Sequence, residues 1–149
     1  MIYIGVDVGA KGGMAAIDEN NQIIMILPMS RENLVEFANE LKSRNEPMIA
    51  CIEKVGAMPN QGVTSMFSFG KSAGFIEGVF ESFKIPYELI TPQKWKKEFG
   101  LINKDKNGSI NICKHLLPDV NLLPTSRCRK ESDGLAEAAL MAIYAKRRL

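Results

Sequence analysis

The sequence lacks the features that mark membrane, secreted and disulfide-bonded proteins. No apolar run approaches the roughly 18 residues needed to cross a bilayer. The opening stretch MIYIGVDVGA carries an acidic residue and no basic one, the reverse of a signal peptide. Cysteine is limited to three widely spaced residues, which argues against a disulfide framework and for a reducing compartment. We therefore expect a cytoplasmic protein without a membrane segment.

Histidine and tryptophan are equally scarce, with one of each. Because a zinc site needs four ligands at short spacings, the pair Cys113 and His115 favours a core cysteine beside a helix end over a metal site. The remaining composition is ordinary: 149 residues, 46% hydrophobic and 24% charged. Such a chain is long enough to bury a real core, and we expect one domain over residues 1–149.

Charge is distributed unevenly along the chain, although its net value is only +2. Residues 1–83 carry six basic and ten acidic side chains, a net charge of −4. Residues 84–130 carry ten basic and four acidic side chains, a net charge of +6. This asymmetry is typical of a protein with an anionic partner, the alternative being an ordinary solvated surface.

The hydrophobic pattern predicts the element order β-β-β-α-β-α-β-α-α, an α/β domain with a mixed five-stranded sheet flanked by helices. The first three strands form a meander, and the fourth is apolar throughout and therefore central. The predicted strands are 2–8, 14–17, 22–27, 48–52 and 86–90. The predicted helices begin at Ser30 and Thr91 and span 64–83, 109–117 and 133–147, with 99–108 a loop.

Four acidic side chains stand out by their positions. Asp7 lies in an apolar strand and Glu53 ends another, where a charge costs several kcal/mol unless it is paired or binds a metal. Asp133 and Glu137 share one face of the last helix. Taken alone, Asp133 can be a helix cap and Glu137 a solvated residue. Together the four predict a site for two Mg²⁺ ions, because hydrolysis of a phosphodiester by two metals needs several converging carboxylates.

The sequence resembles the RuvC-type resolvases of the RNase H-like superfamily over essentially its whole length. The resemblance rests on Asp7 in GVDVGAKGG, Glu53 in CIEKV and the helix DGLAEAALMAIYA. The stretches EKVGAMPNQGVTSMFSFGKSAGFIEG and YELITPQKWK are most similar to the RuvC-like endonucleases of phages. If the chain is encoded by a phage, the host cytoplasm is its expected location.

The resemblance implies a set of metal ligands and a cofactor. By position, Asp7, Glu53, Asp133 and Glu137 would bind Mg²⁺, with Mn²⁺ as a substitute. Bacterial members end in two aspartates three residues apart, whereas this chain has Ala136 three residues after Asp133. The fourth ligand is therefore Glu137 or Glu131. The resemblance also implies a homodimer that cuts two opposed strands. Helix 64–83 is the expected interface, because its apolar and glycine faces exceed the needs of one core.

The basic segment is interpreted as a surface that binds DNA phosphates. Its members surround the only tryptophan, Trp95, or lie just before the last helix: Lys94, Lys96, Lys97, Arg127, Arg129 and Lys130. Lys104 or Lys106 corresponds in region to the family's catalytic lysine. By the same resemblance Phe67 or Phe69 would insert into the centre of a junction, the alternative being a core position. Trp95 either stacks on a base or anchors its helix.

A row of glycines in helix 64–83 is the last local feature of the sequence. Gly70, Gly74 and Gly78 recur at four-residue steps in helix 64–83, which predicts close backbone packing because glycine otherwise costs a helix about 1 kcal/mol. The function predicted is a Mg²⁺-dependent endonuclease that resolves Holliday junctions or cuts other branched DNA. The alternatives are a non-catalytic nucleic-acid-binding module and an actin- or sugar-kinase-like ATP-binding protein, suggested by the glycine turn after Asp7.

Overall fold

The computed structural model describes all 149 residues, which form five strands and five helices. The strands are β1 (Ile2–Asp7), β2 (Gly13–Ile17), β3 (Ile23–Pro28), β4 (Met48–Glu53) and β5 (Tyr87–Ile90). The helices are α1 (Arg31–Ser43), α2 (Val63–Ser82), α3 (Pro92–Glu98), α4 (Lys106–Leu116) and α5 (Asp133–Arg148). The observed order, β-β-β-α-β-α-β-α-α-α, has one helix more after β5 than the predicted order, although a pattern for each of the five helices was identified in the sequence.

The strands form one mixed sheet in the order β3-β2-β1-β4-β5. The first three are antiparallel neighbours, which confirms the predicted meander, and β4 pairs in parallel with both β1 and β5. As predicted from its apolar sequence, β4 lies inside the sheet, between β1 and β5. The carboxyl ends of β1, β4 and β5 therefore lie at one edge of the sheet.

Each face of the sheet carries its own apolar core. Ile2, Ile4 and Val6 of β1 alternate onto the face covered by α1 and α2, where they join Phe37 and Phe80. The opposite face packs against α5, with the residues of α3 and α4 around it. Eleven residues of α5 are buried, so this helix lies at the centre of its half of the molecule.

The close approach of α5 to the sheet depends on Gly5. A Cβ at this position would lie 2.0 Å from the carbonyl oxygen of Ala138 and 2.3 Å from the backbone nitrogen of Ala142. The backbones of β1 and α5 therefore meet without a side chain between them. This contact fixes where the amino-terminal end of α5 meets the edge of the sheet.

One helix boundary differs from the prediction in a way that matters for function. Helix α4 begins at Lys106 rather than residue 109, because the Asp105 carboxylate caps it by accepting a hydrogen bond from the backbone N–H of Gly108 at 3.1 Å. Lys106 is therefore fixed in the first turn of a helix and does not lie in a loop. At α3, Pro92 occupies the first turn as predicted, but the Thr91 side chain makes no capping bond.

The predicted close packing along the glycines of α2 is wrong within this chain. A Cβ at Gly70, Gly74 or Gly78 would meet no atom within 4 Å. Helix α2 is anchored by Ile76, Val79 and Phe80, all in its carboxyl-terminal half. Its glycine face is consequently left open to solvent.

No helix in the structure combines the length and apolarity needed to cross a bilayer.

Candidate active site

Two of the four acidic residues are neighbours at the carboxyl edge of the sheet. Val6 of β1 pairs with Ile52 of β4, so the last residues of these strands, Asp7 and Glu53, lie side by side. Adjacent strands lie about 4.8 Å apart. The Asp7 carboxylate accepts a hydrogen bond from the backbone N–H of Gly9 at 3.2 Å, which fixes the turn that follows.

Helix α5 brings the other two acids to the same edge. The hydroxyl of Ser132 caps this helix by accepting from the backbone N–H of Leu135 at 3.2 Å. The interpretation of Asp133 as the cap is therefore wrong, and its carboxylate is free for another role. Gly134 allows the helix to approach the turn after β1, since a Cβ there would lie 2.0 Å from the carbonyl oxygen of Lys11.

The four carboxylates influence one another's ionisation at this edge. Burial, followed by the charges of Glu53, Glu137 and Asp133, raises the pKa of Asp7 to about 7. Burial also raises the pKa of Glu137, and the Glu53 and Asp133 charges add to it against the opposing effect of Lys96. Such a group of like charges is costly on its own and favours a cation beside it.

Glu53, Glu137 and Asp133 each have a partner on another side chain. The indole N–H of Trp95 donates to Glu53 at 2.9 Å. The Ser109 hydroxyl lies 3.4 Å and the Lys96 ammonium 3.9 Å from Glu137 Oε1.

Asp133 Oδ2 is 4.0 Å from the Lys106 ammonium. Glu131, the alternative fourth ligand, pairs instead with Lys114 at 3.1 Å and has no part in raising the pKa of Asp7. Glu137 is therefore the fourth member of the cluster.

The donor chemistry of this cluster fits a hard divalent cation. All four groups are carboxylates, the ligands that Mg²⁺ and Mn²⁺ prefer, and they come from three separate elements. No three His, Cys, Asp or Glu side chains are already arranged to hold one ion between them.

Burial raises the pKa of the Cys113 thiol to about 12, which fits the predicted core role of that cysteine.

The predicted DNA-binding residues fall into separate groups. Lys106 and Lys130 line a cleft of about 680 Å³ that also contains Asp133 and Lys11. Lys96 lies at the carboxylate cluster. Lys94 and Lys97 line a shallow groove beside Arg148. Lys104, Arg127 and Arg129 are exposed and form no ion pair.

The three aromatic candidates differ in exposure. Phe67 is 72% exposed. Phe69 is half-buried and packs against the α1–α2 core. Trp95 is fully buried, so it anchors its helix and does not present a face to a base.

The comparisons with known proteins identify the fold from structure alone. No family profile matches the chain, and no curated protein matches its sequence. RuvC of Thermus thermophilus superimposes with a TM-score of 0.60 at 16% identity, over 99% of this chain and 96% of that one. The same protein in complex with a Holliday junction substrate gives a TM-score of 0.68 at 13% identity over the same shares. The chain has a RuvC-like fold.

A viral protein shares this RuvC-like fold. The fowlpox virus resolvase, solved as a complex with Holliday junction DNA, superimposes with a TM-score of 0.55 at 18% identity. The alignment covers 97% of this chain and 98% of the resolvase. The RNase H-like mixed sheet predicted from the sequence is thereby confirmed.

Within the RuvC-like fold, two contacts of the candidate site escaped the sequence analysis. Ser109 is the only buried polar residue, and its hydroxyl faces Glu137. Trp95 donates to Glu53 from 42 residues away in the sequence. A signal for the second existed, since a buried indole N–H nearly always finds an acceptor. The sequence pattern does not say which acceptor it finds.

Proposed function

We propose that residues 1–149 form one nuclease domain, a divalent-metal-dependent endonuclease that resolves Holliday junctions or cuts related branched DNA. The observation that carries this proposal is the convergence of Asp7, Glu53, Asp133 and Glu137 at one edge of the sheet, where burial and the charges of the other three raise the pKa of Asp7 to about 7. The likeness of the fold to resolvases solved with junction DNA supports the choice of substrate.

The four carboxylates would hold two Mg²⁺ ions, with Mn²⁺ as a substitute. When bound, the ions supply activation of water and stabilisation of the leaving oxygen in phosphodiester hydrolysis. The protein contributes the position of each carboxylate and a local negative charge that attracts the ions. The basic residues of the neighbouring cleft, Lys106, Lys130 and Lys11, bind the phosphates that flank the scissile bond.

The other basic residues extend the DNA-binding surface around the site. We assign phosphate contacts to Lys96 beside Glu137, and to the exposed set Lys94, Lys97, Lys104, Arg127, Arg129 and Lys130. Between the two phenylalanines, Phe67 is the better candidate for insertion into the centre of a junction, because its side chain is 72% exposed. Phe69 is half-buried and packs against the core beside α1 and α2.

Cleavage of a labelled four-way junction tests the proposal, with duplex, fork and RNA–DNA hybrid beside it, in Mg²⁺, Mn²⁺ and EDTA. We expect paired nicks near the branch that need the metal and disappear in Asp7→Asn while junction binding survives. Asp119→Asn, an exposed acid outside the cluster, is the matched control. If the wild type cuts nothing in either metal, the chain is a DNA-binding module. Equal cutting of forks and junctions makes it a general branch endonuclease.

Lys106 is expected to contribute more to cleavage than Lys104. The Lys106 ammonium lies 4.0 Å from Asp133 and is held by the first turn of α4, whereas Lys104 contacts no carboxylate. We expect Lys106→Ala to lower the single-turnover cleavage rate about 100- to 1,000-fold, the range for loss of one group that stabilises transition-state charge. Lys104→Ala should change it less than threefold. Equal losses in the two variants would contradict this assignment.

A homodimer is proposed to form through the open glycine face of α2. Gly74 lies at the middle of this face, and a Cβ there would meet no atom of the same chain. Gly74→Glu should therefore leave the monomer folded but place a charge between the two copies. We expect the wild type to sediment as a dimer and this variant as a monomer. A dimeric Gly74→Glu protein would locate the interface elsewhere.

A further inference from the structure

Helix α3 brings two adjacent residues against two of the four carboxylates. The Trp95 indole N–H donates to Glu53 Oε2 at 2.9 Å, and the Lys96 ammonium lies 3.9 Å from Glu137 Oε1. Neighbouring residues of a helix point about 100° apart. The middle of α3 therefore faces β4 on one side and α5 on the other.

Backbone contacts connect the helix that carries Trp95 to β4, the strand that carries Glu53. Glu53 pairs with Ile90 at the end of β5, and the backbone N–H of Lys54 donates to the Ile90 carbonyl at 2.8 Å. Helix α3 begins only two residues later, at Pro92. The carboxyl end of β4 and the helix that supports Glu53 are thus joined by backbone hydrogen bonds as well as by the indole.

Trp95 is held more rigidly than the side chain it contacts. Its indole is fully buried in the core beside α5, so its N–H has no access to water and Glu53 is its acceptor. A glutamate side chain has three rotatable torsions and is usually mobile at a sheet edge. A fixed donor on one oxygen restricts these torsions and leaves the other oxygen free to bind.

We propose that Trp95 is a positioning residue that holds the Glu53 carboxylate in the orientation needed for divalent-cation binding. This inference rests on the metal site of the proposed function. Partners that orient a metal ligand typically change metal affinity about 10- to 100-fold when removed. The effect of Trp95 is therefore expected in cation binding itself, before any cleavage step.

Calorimetric titration with Mn²⁺, in the absence of DNA, tests this role. Trp95→Phe keeps an aromatic ring in the core but removes the N–H donor, and we expect it to weaken Mn²⁺ binding about 10- to 100-fold. Tyr144→Phe, which removes a polar atom from another buried aromatic of the same core, should bind Mn²⁺ like the wild type. An affinity for Trp95→Phe within twofold of the wild type would overturn the proposal.

A second measurement uses the native tryptophan and needs no substitution in the core. Because Trp95 is the only tryptophan, the indole emission of the protein comes from this residue alone. In EDTA, Glu53→Ala removes the acceptor and should change that emission spectrum, whereas Asp119→Asn should not. Unchanged emission in Glu53→Ala would overturn the contact. A wild type that binds no Mn²⁺ would overturn the metal site together with this role, while equal binding by wild type and Trp95→Phe overturns the role alone.

Discussion

Asp7→Asn is expected to stabilise the metal-free protein above pH 7 while abolishing cleavage. In the folded chain the pKa of Asp7 is about 7, against 3.8 for a free side chain, because burial and three other carboxylates oppose its charge. Below pH 4 the group is protonated in both states and costs nothing. Between pH 4 and 7 the folded state retains a proton that the unfolded state has lost, so stability falls as pH rises. Above pH 7 the cost is fully present.

The size of this effect is set by the shift in pKa. A change of about three units corresponds to at most about 4 kcal/mol in the free energy of unfolding. Asparagine removes the charge but keeps an oxygen that can accept the hydrogen bond from Gly9. Urea unfolding in EDTA at pH 5 and pH 8 measures the gain, which should be larger at pH 8. Asp119→Asn should show no such difference.

A result that contradicts the prediction is also well defined. If Asp7→Asn changes the unfolding free energy equally at pH 5 and pH 8, the Asp7 charge is not under strain in the folded state. In a further urea unfolding experiment at pH 8, added Mg²⁺ should stabilise the wild type more than Asp7→Asn. A ligand that binds only the folded state raises the stability of that state by mass action.

Gly5→Ala is expected to destabilise the protein by roughly 3 kcal/mol or more, in the range of the most damaging core substitutions. The new methyl group would lie within 3 Å of three backbone atoms of α5, in Ala138, Met141 and Ala142. Backbone atoms of a buried helix cannot rotate away as a side chain can. The helix must therefore shift as a whole, and with it Asp133 and Glu137. Cleavage should be lost even at temperatures where the variant remains folded.

Gly78→Ala is the matched control for this experiment. It makes the same chemical change in α2, where a Cβ meets no atom within 4 Å. Alanine favours a helix over glycine by about 1 kcal/mol, so this variant should be slightly more stable than the wild type. Urea unfolding of both variants gives the comparison. A Gly5→Ala protein with wild-type stability and activity would show that the contact between β1 and α5 is not tight.

The sequence alone predicted the strands and the acidic residues because both depend on local patterns. The apolar stretches of β1 and β4 are short and uninterrupted, and an acid at the end of each is conspicuous against them. Parallel pairing then places Asp7 beside Glu53 without further information. Asp133 and Glu137 were grouped with them on chemical grounds and by the resemblance to a known family, since nothing local says where α5 packs.

Other features of the site depend on contacts between distant segments. The sequence predicts a loop at Asp105, Lys106 and Gly108, because glycine is a poor helix former. The structure has a helix there, because the Asp105 carboxylate caps it by accepting from the backbone N–H of Gly108. The glycines of α2 have the spacing of a packed ridge, yet a Cβ at any of the three would meet no atom of this chain within 4 Å. Between Glu137 and Glu131, the sequence likewise does not tell that Glu131 pairs with Lys114 while the Glu137 charge acts on Asp7.

The packing of α5 against β1 also constrains when the protein can acquire activity during its synthesis. The acids of β1 and α5 come from the first and last elements of the chain, and the last helix fills the core of one face of the sheet. Native contacts between segments so far apart in sequence form late. A nascent chain that has not yet released residues 133–148 from the ribosome lacks two carboxylates and an apolar core. Interrupted translation products would thus lack two of the four carboxylates on which the proposed cleavage depends.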